Sequence, residues 1–257
     1  MDNVQTNSMI NDYLRPATFP VAVKLLKGPL PEKVKNPQQF YKHRLALCQG
    51  IAIARRHGRT IGFSKNDNNC PISQVLLGLA ENPDINKNGS VAFPLYVKDL
   101  QAGKNTADSE VVLDVGTFDS IIFSPLHRAD FTPDVLIIYG NPGQMVRLVQ
   151  GALFNEGGVI NSSFMGRGAC ADFIGYPFKS KKCNVVLGGS GERVFGMTGD
   201  EEMCFAIPQE RITGVMEGLK ATHDIGVARM PTPFFGLSAE AAFPASYKEL
   251  LEHCELL

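Results

Sequence analysis

The chain has little of several things, and each lack removes a class of function. Its charges nearly cancel, at a formal net of −1, and no long run of one sign interrupts them. Proteins that grip phosphate backbones cluster Lys and Arg, so a nucleic-acid partner is not expected. The small group Lys179, Lys181 and Lys182 reads as a solvated turn. No stretch approaches the roughly 18 consecutive apolar residues that span a bilayer, so no membrane partner is expected either. Met1 to Tyr13 is polar and lacks the apolar core of a signal peptide. These lacks together suggest a cytoplasmic location. Thiols stay reduced there, so the six cysteines read as free thiols or metal ligands rather than disulfides. There is no Cys-x-x-Cys, no His-x-x-x-His and no ferredoxin-type cysteine run. The histidines at 43, 57, 127, 223 and 253 show no ligand spacing. A metal centre would therefore have to be assembled from distant loops.

What is present is an ordinary globular composition, 44% apolar and 20% charged, over 257 residues, enough for one large domain or two small ones. Pro20-Val-Ala-Val-Lys-Leu-Leu26 is strand-like, Gln38 to Arg56 helical, and Thr60-Ile-Gly-Phe-Ser64 strand-like again. A polar turn, Lys65 to Asn69, leads to Cys70-Pro71 and a helix to about Ala80, with proline where a first turn tolerates it. Ser90 to Val97 and Ser120 to Ser124 are further strand candidates. From Pro133 the order repeats. A strand runs to Tyr139 and a helix from Gly143 to Phe154. Strand-like Val159 to Phe164 leads to the loop that ends at Cys170. Strands at Asn184–Leu187 and Met203–Pro208 and a helix from Gln209 to Lys220 complete it.

Arg44-Leu-Ala-Leu-Cys-Gln-Gly50 aligns with Arg147-Leu-Val-Gln-Gly151, and Gln49 precedes Cys70 by 21 residues where Gln150 precedes Cys170 by 20. The expectation is an α/β fold, with α+β as its variant, built from two pseudo-symmetric halves of an internal duplication packed as one compact domain. Residues 1–19 form an N-terminal arm or helix, 20–132 the first half, 133–222 the second, and 223–257 a C-terminal extension with a terminal helix. Plain alternation of strands and helices could also make two halves look alike.

Chemistry is sought where the halves correspond. Cys70 and Cys170 are the candidate catalytic thiols, each following a strand and a polar or glycine-rich loop; cysteine is also simply a small buried hydrophobe. Cys48, Cys70, Cys170 and Cys183 are the candidate metal ligands, provided the halves face each other. Cys204 reads as core, and Cys254 has no assigned role. Gln49 and Gln150 are amides amid apolar neighbours and need partners, from backbone, each other or a ligand. Arg167 and Arg193, with Gly189 and Gly191, are the candidate cofactor-binding residues: glycines after a strand let backbone N–H groups approach an anion, although a plain turn would look the same. The stretch Gly188 to Arg193 is neither a P-loop nor a dinucleotide fingerprint, and it lacks the serine-hydrolase elbow.

The combination of Cys48-Gln49, Gly168-Ala-Cys-Ala-Asp172, Cys183 ahead of Gly188-Gly-Ser-Gly-Glu-Arg193, and Glu202-Met203 leading to Phe205-Ala-Ile-Pro208 resembles the uncharacterised prokaryotic family called domain of unknown function 169. The resemblance runs from about Asn11 to Thr222. It implies a bacterial or archaeal cytoplasmic protein and supplies no reaction, cofactor or catalytic residue. Two functional readings stand. One is a small-molecule, metal or iron–sulfur cofactor held in a thiol-lined pocket between the halves. The other is an enzyme acting on an anionic metabolite with a cysteine thiolate and a glycine/arginine anion site. Nothing in the sequence fixes an oligomeric state.

Overall fold

The structure, a computed structural model, describes residues 1–226, 229 and 243–254. Its order is α1 (Asn3–Tyr13), β1 (Val21–Leu26), α2 (Pro37–Tyr41), α3 (Leu47–His57), β2 (Ile61–Ser64), α4 (Pro71–Leu76), α5 (Asp84–Lys87), α6 (Leu100–Ser109), β3 (Ser120–Pro125) and β4 (Val135–Gly140). Then come α7 (Pro142–Leu153), a π-helix (Ala171–Gly175), α8 (Tyr176–Ser180), β5 (Asn184–Val186), α9 (Ser190–Phe195), β6 (Met203–Pro208), α10 (Ile212–Ile225) and α11 (Ala245–His253). The part of the expected C-terminal extension at 227, 228, 230–242 and 255–257 lies outside the described residues.

The α/β expectation holds, with six strands in the order β2-β3-β1-β4-β6-β5 and every neighbouring pair antiparallel. Strand side chains alternate between faces, and these strands bury both. Val21, Val23, Val135, Ile137, Cys204 and Ala206 belong to one core; Ala22, Leu136, Ile138, Phe205 and Ile207 belong to the other.

The strand order is symmetric about the central pair, where Ala22 stands opposite Leu136. Val21 faces Pro125 on one side as Val135 faces Pro208 on the other. The helices do not follow. Leu47, Ile51 and Ala54 of α3 pack into the first core with Phe63 and Phe123, whereas Met145, Leu148 and Ala152 of α7 pack into the second with α1 and α10. A twofold axis normal to the sheet keeps faces, so it cannot carry α3 onto α7. The expected overlay of the helices bearing Gln49 and Gln150 therefore fails, and an internal duplication is not shown. Two expected strands are also absent: Ser90 to Val97 is turn, and Val159 to Phe164 is irregular. Pro94 interrupts the first run, which suits a turn better than a ladder. The long helix expected from Gln38 is two, α2 and α3, parted where Lys42 takes left-handed backbone at φ 61.

On the second face α7 and α10 cross with their backbones in contact. A Cβ on Gly218 would lie 2.1 Å from the Gly151 carbonyl oxygen, and one on Gly151 would lie 2.9 Å from the Val215 carbonyl oxygen. A Gly218→Ala variant should therefore lose about 1–3 kcal/mol in urea denaturation, as overpacked sites do, because the obstacle is backbone and cannot rotate away. Unchanged stability would mean that the two helices separate freely.

Candidate functional site

The first face carries the cavity of interest. Four short-range devices bring its walls together. Gln49 closes the start of α3, its Oε1 accepting the Ala46 N–H at 2.9 Å. Gly50 brings α3 down onto the sheet, since a Cβ there would lie 2.4 Å from the Phe63 ring. The segment before α3 is laced to the loop after β2: Leu45 N–H donates to the Asp67 carbonyl at 3.1 Å, and Asn69 N–H to the Leu45 carbonyl at 3.1 Å. Within that loop the buried Asn68 accepts the Cys70 N–H through Oδ1 at 3.0 Å and donates through Nδ2 to Ser73 at 2.8 Å. Cys48 and Cys70 are thereby held on adjoining segments.

Cys170 arrives from elsewhere. Gly168, at φ +60, turns the chain beneath Leu76, and Ala171 N–H donates to the Gly168 carbonyl at 2.8 Å to start the π-helix. Such π turns recur at functional sites. The fourth wall is α9, which approaches α3 until a Cβ on Gly196 would lie 3.1 Å from that of Cys48, while the Cys48 thiol donates to the Gly191 carbonyl at 3.8 Å. The resulting cavity, about 70 Å³, is lined by Cys48, Cys70, Cys170, Gly189, Gly191 and Glu192 among others.

Burial dominates the electrostatics. It pushes the Cys48 thiol up to about 12, with Glu192 and Cys70 adding to the rise, and Cys170 well above the ordinary thiol value, with Cys70 and Cys48 adding to it. Glu192 is raised to about 7 by burial, against the lowering pull of its bond from Tyr139 and of Arg55. The Tyr139 hydroxyl donates to Glu192 Oε1, and Glu192 Oε2 is buried without a hydrogen-bond partner among the described residues. Above the Tyr139 ring, 4.0 Å from its centre, lies the Arg55 guanidinium, which pairs with both oxygens of Glu202 at 2.7 and 3.0 Å. Asp172, two residues after Cys170, is likewise raised to about 7 by burial.

Of the candidates read from sequence, Cys48, Cys70, Cys170, Gly189 and Gly191 meet in this cavity. Gln49 sits behind it as a helix cap. Gln150 lies on α7, the helix of the opposite face. Cys183 joins that opposite core and lines a separate cleft with Arg211, its thiol raised to about 11 by burial. Arg167 turns to Glu110 and Asn86. Arg193 donates to the Gly199 and Leu187 carbonyls at 2.6 and 2.7 Å and pairs with Asp200. Among the described residues no three His, Cys, Asp or Glu side chains are grouped to hold a single metal ion. The sequence reading passed over Glu192 and gave Asp172 no role; both sit in segments it singled out, yet their burial leaves no mark in composition.

The family model of domain of unknown function 169, described as uncharacterised ArCR, matches residues 9–218. The chain belongs to that family. It is 28% identical over 208 residues to the uncharacterized protein MJ0308 of Methanocaldococcus jannaschii, an alignment covering 78% of this chain and 86% of that one. No solved structure matches it. The family match spans all three cavity cysteines and Glu192. No helix among the described residues is long and apolar enough to cross a membrane.

The two raised carboxyls give this domain of unknown function 169 protein a pH signature. The folded state keeps protons on Glu192 and Asp172 that the unfolded chain has released, so their contribution to stability is present below about pH 4 and is lost as pH rises to about 7. Glu192 alone corresponds to a loss on the order of 3 kcal/mol. Urea midpoints followed from pH 4 to 8 should fall and then level off. Glu192→Gln should flatten about half of that slope; an unaltered slope would show that Glu192 ionises freely in the fold.

Proposed function

We propose that this protein holds a small thiophilic cofactor, a compact iron–sulfur cluster before any other, between Cys48, Cys70 and Cys170. The observation that carries the reading is the convergence of three thiols, from the start of α3, the turn into α4 and the entry to the π-helix, on one cavity. A cavity of about 70 Å³ is too small for a nucleotide or other large organic ligand. Burial raises the Cys48 and Cys170 thiols, and a metal bound there would have to displace their protons. Among the described residues the side chains are not grouped around a single ion, so the reading rests on the cavity the three thiols share. Cys183 plays no part, since it lies in the core of the other face.

The alternative reading, a cysteine nucleophile with an arginine-lined anion site, has less support. Cys48 and Cys170 are raised away from thiolate, and Arg167 and Arg193 are engaged with Glu110 and with backbone carbonyls.

Anaerobic purification followed by iron and sulfide analysis and absorption spectroscopy tests the proposal. Coloured protein with near-stoichiometric iron and sulfide is expected. Cys48→Ser, Cys70→Ser and Cys170→Ser should each lose most of it, and Cys183→Ser should keep it. Colourless, metal-free protein, or equal loss in Cys183→Ser, overturns the reading.

A further inference from the structure

A cleft of about 270 Å³ opens at the far end of α3, between α1, the segment before β1 and the last turn of α3. Its walls include Ala17, Thr18, Phe19, Arg55 and Arg56, and none of the residues that line it is acidic. Its aromatic wall is held in place from three sides. The Phe19 N–H donates to the Arg55 carbonyl at 2.9 Å. The Phe19 ring rests against that of His127, 5.0 Å from centre to centre. Gly58, at φ +66, makes room for it, since a Cβ there would lie 3.1 Å from the ring. Phe19 is nevertheless 43% exposed, so much of the ring stays open.

The polar walls carry donors in excess of acceptors. Buried Arg55 spends its terminal nitrogens on Glu202 and the Met197 carbonyl, while its Nε is buried without a partner among the described residues. Thr18 Oγ1 is buried and equally unpartnered. A buried donor that finds no acceptor is costly. Arg56 reaches Glu202 through Nη2 at 2.8 Å, and no described residue takes its Nη1 or Nε. Its side chain is 30% exposed. Asp12, on the exposed side of α1, accepts the Ser8 hydroxyl at 3.4 Å. Two guanidiniums against the one carboxylate of Glu202 leave a net positive charge. That charge outweighs the roughly half negative charge at the C-terminus of α3.

We propose that this cleft binds a small organic carboxylate, its oxygens toward Arg56 and Thr18 and its carbon body against Phe19. A planar carboxylate matches the planar donor fork of a guanidinium. It also brings acceptors to walls whose donors lack them. The inference goes beyond the cofactor reading, because it needs neither thiol nor metal and its test reads no metal content. Arg56 lies two turns along α3 from Cys48, a rise of about 12 Å.

The probe is benzoate, with benzyl alcohol and benzylammonium as matched controls, titrated calorimetrically and by NMR against the purified full chain. Benzoate should bind about tenfold more tightly than either control, the effect of one hydrogen bond to a charged group. Its affinity should fall as sodium chloride is raised, because a partly exposed guanidinium is screened. Arg56→Gln should lose about tenfold in benzoate affinity. Arg56→Lys, which keeps the charge without the fork, should lose less. Ala17→Glu sets a fixed negative charge on an exposed part of the wall. It should weaken benzoate several-fold even if the Arg56 variants fail to fold. No detectable benzoate binding at millimolar concentration overturns the proposal. So do equal binding of the three probes, benzoate affinity unchanged by Ala17→Glu, or inorganic phosphate that binds more tightly than benzoate.

Discussion

The cavity exists because Arg55 is fixed. This arginine, on the inner side of α3, is 1% exposed and grips both oxygens of Glu202. It also donates to the Met197 carbonyl at 2.9 Å. Those partners lie in the chain between α9 and β6, so one guanidinium decides where α9 stands against α3. Cys48 on α3 and Glu192 on α9 line the cavity together at that contact. Removing one member of such a pair leaves an uncompensated buried charge, which typically costs about 3–5 kcal/mol. The pair is reinforced by Arg56, which reaches Glu202 at 2.8 Å, and by the Tyr139 ring beneath the guanidinium. The row Glu202, Arg55, Tyr139, Glu192 thus runs from the rim of the sheet to the wall of the thiol cavity.

Much of the scaffold was legible in the sequence. The runs at Val21, Ser120, Val135 and Met203 are strands, α7 lies within one residue of its expected bounds, and α10 starts three residues and ends five residues beyond its own. The failures have physical causes. Val159 to Phe164 has β-forming composition but finds no strand to pair with, and the edge place is taken by Asn184 to Val186. Nothing in an amphipathic helix says which face of a two-sided sheet it will cover, so the likeness between the α3 and α7 segments suggested an equivalence that packing does not honour. The meeting of Cys70 with Cys170 was anticipated for a reason that differs from the one observed. They converge through a π turn and a laced loop rather than through matching halves.

Glu192 and Asp172 show the other limit of sequence reading. Each belongs to a segment whose neighbours, Arg193 and Arg167, carry the opposite charge, and sequence order favours the arginines as ligand-binding groups. In the fold Arg193 turns to backbone carbonyls and Arg167 is buried against Glu110, while Glu192 and Asp172 are buried beside the cavities. The site therefore has the opposite electrical character from the one its glycine-rich segment suggested.

The ends of the sheet carry a consequence of their own. Open edge strands present free amide and carbonyl groups that invite a neighbouring chain to dock and prolong the ladder. Here the outward Gly62 N–H of β2 is taken by the Lys35 carbonyl at 3.1 Å. On β5, only three residues long, Val185 N–H is taken by the Ser162 hydroxyl at 3.2 Å, and Asn184 is tied through its side chain to Ser163 and Asp172. Both margins are hemmed by the chain's own loops. Strand addition at either edge would first have to peel those loops away.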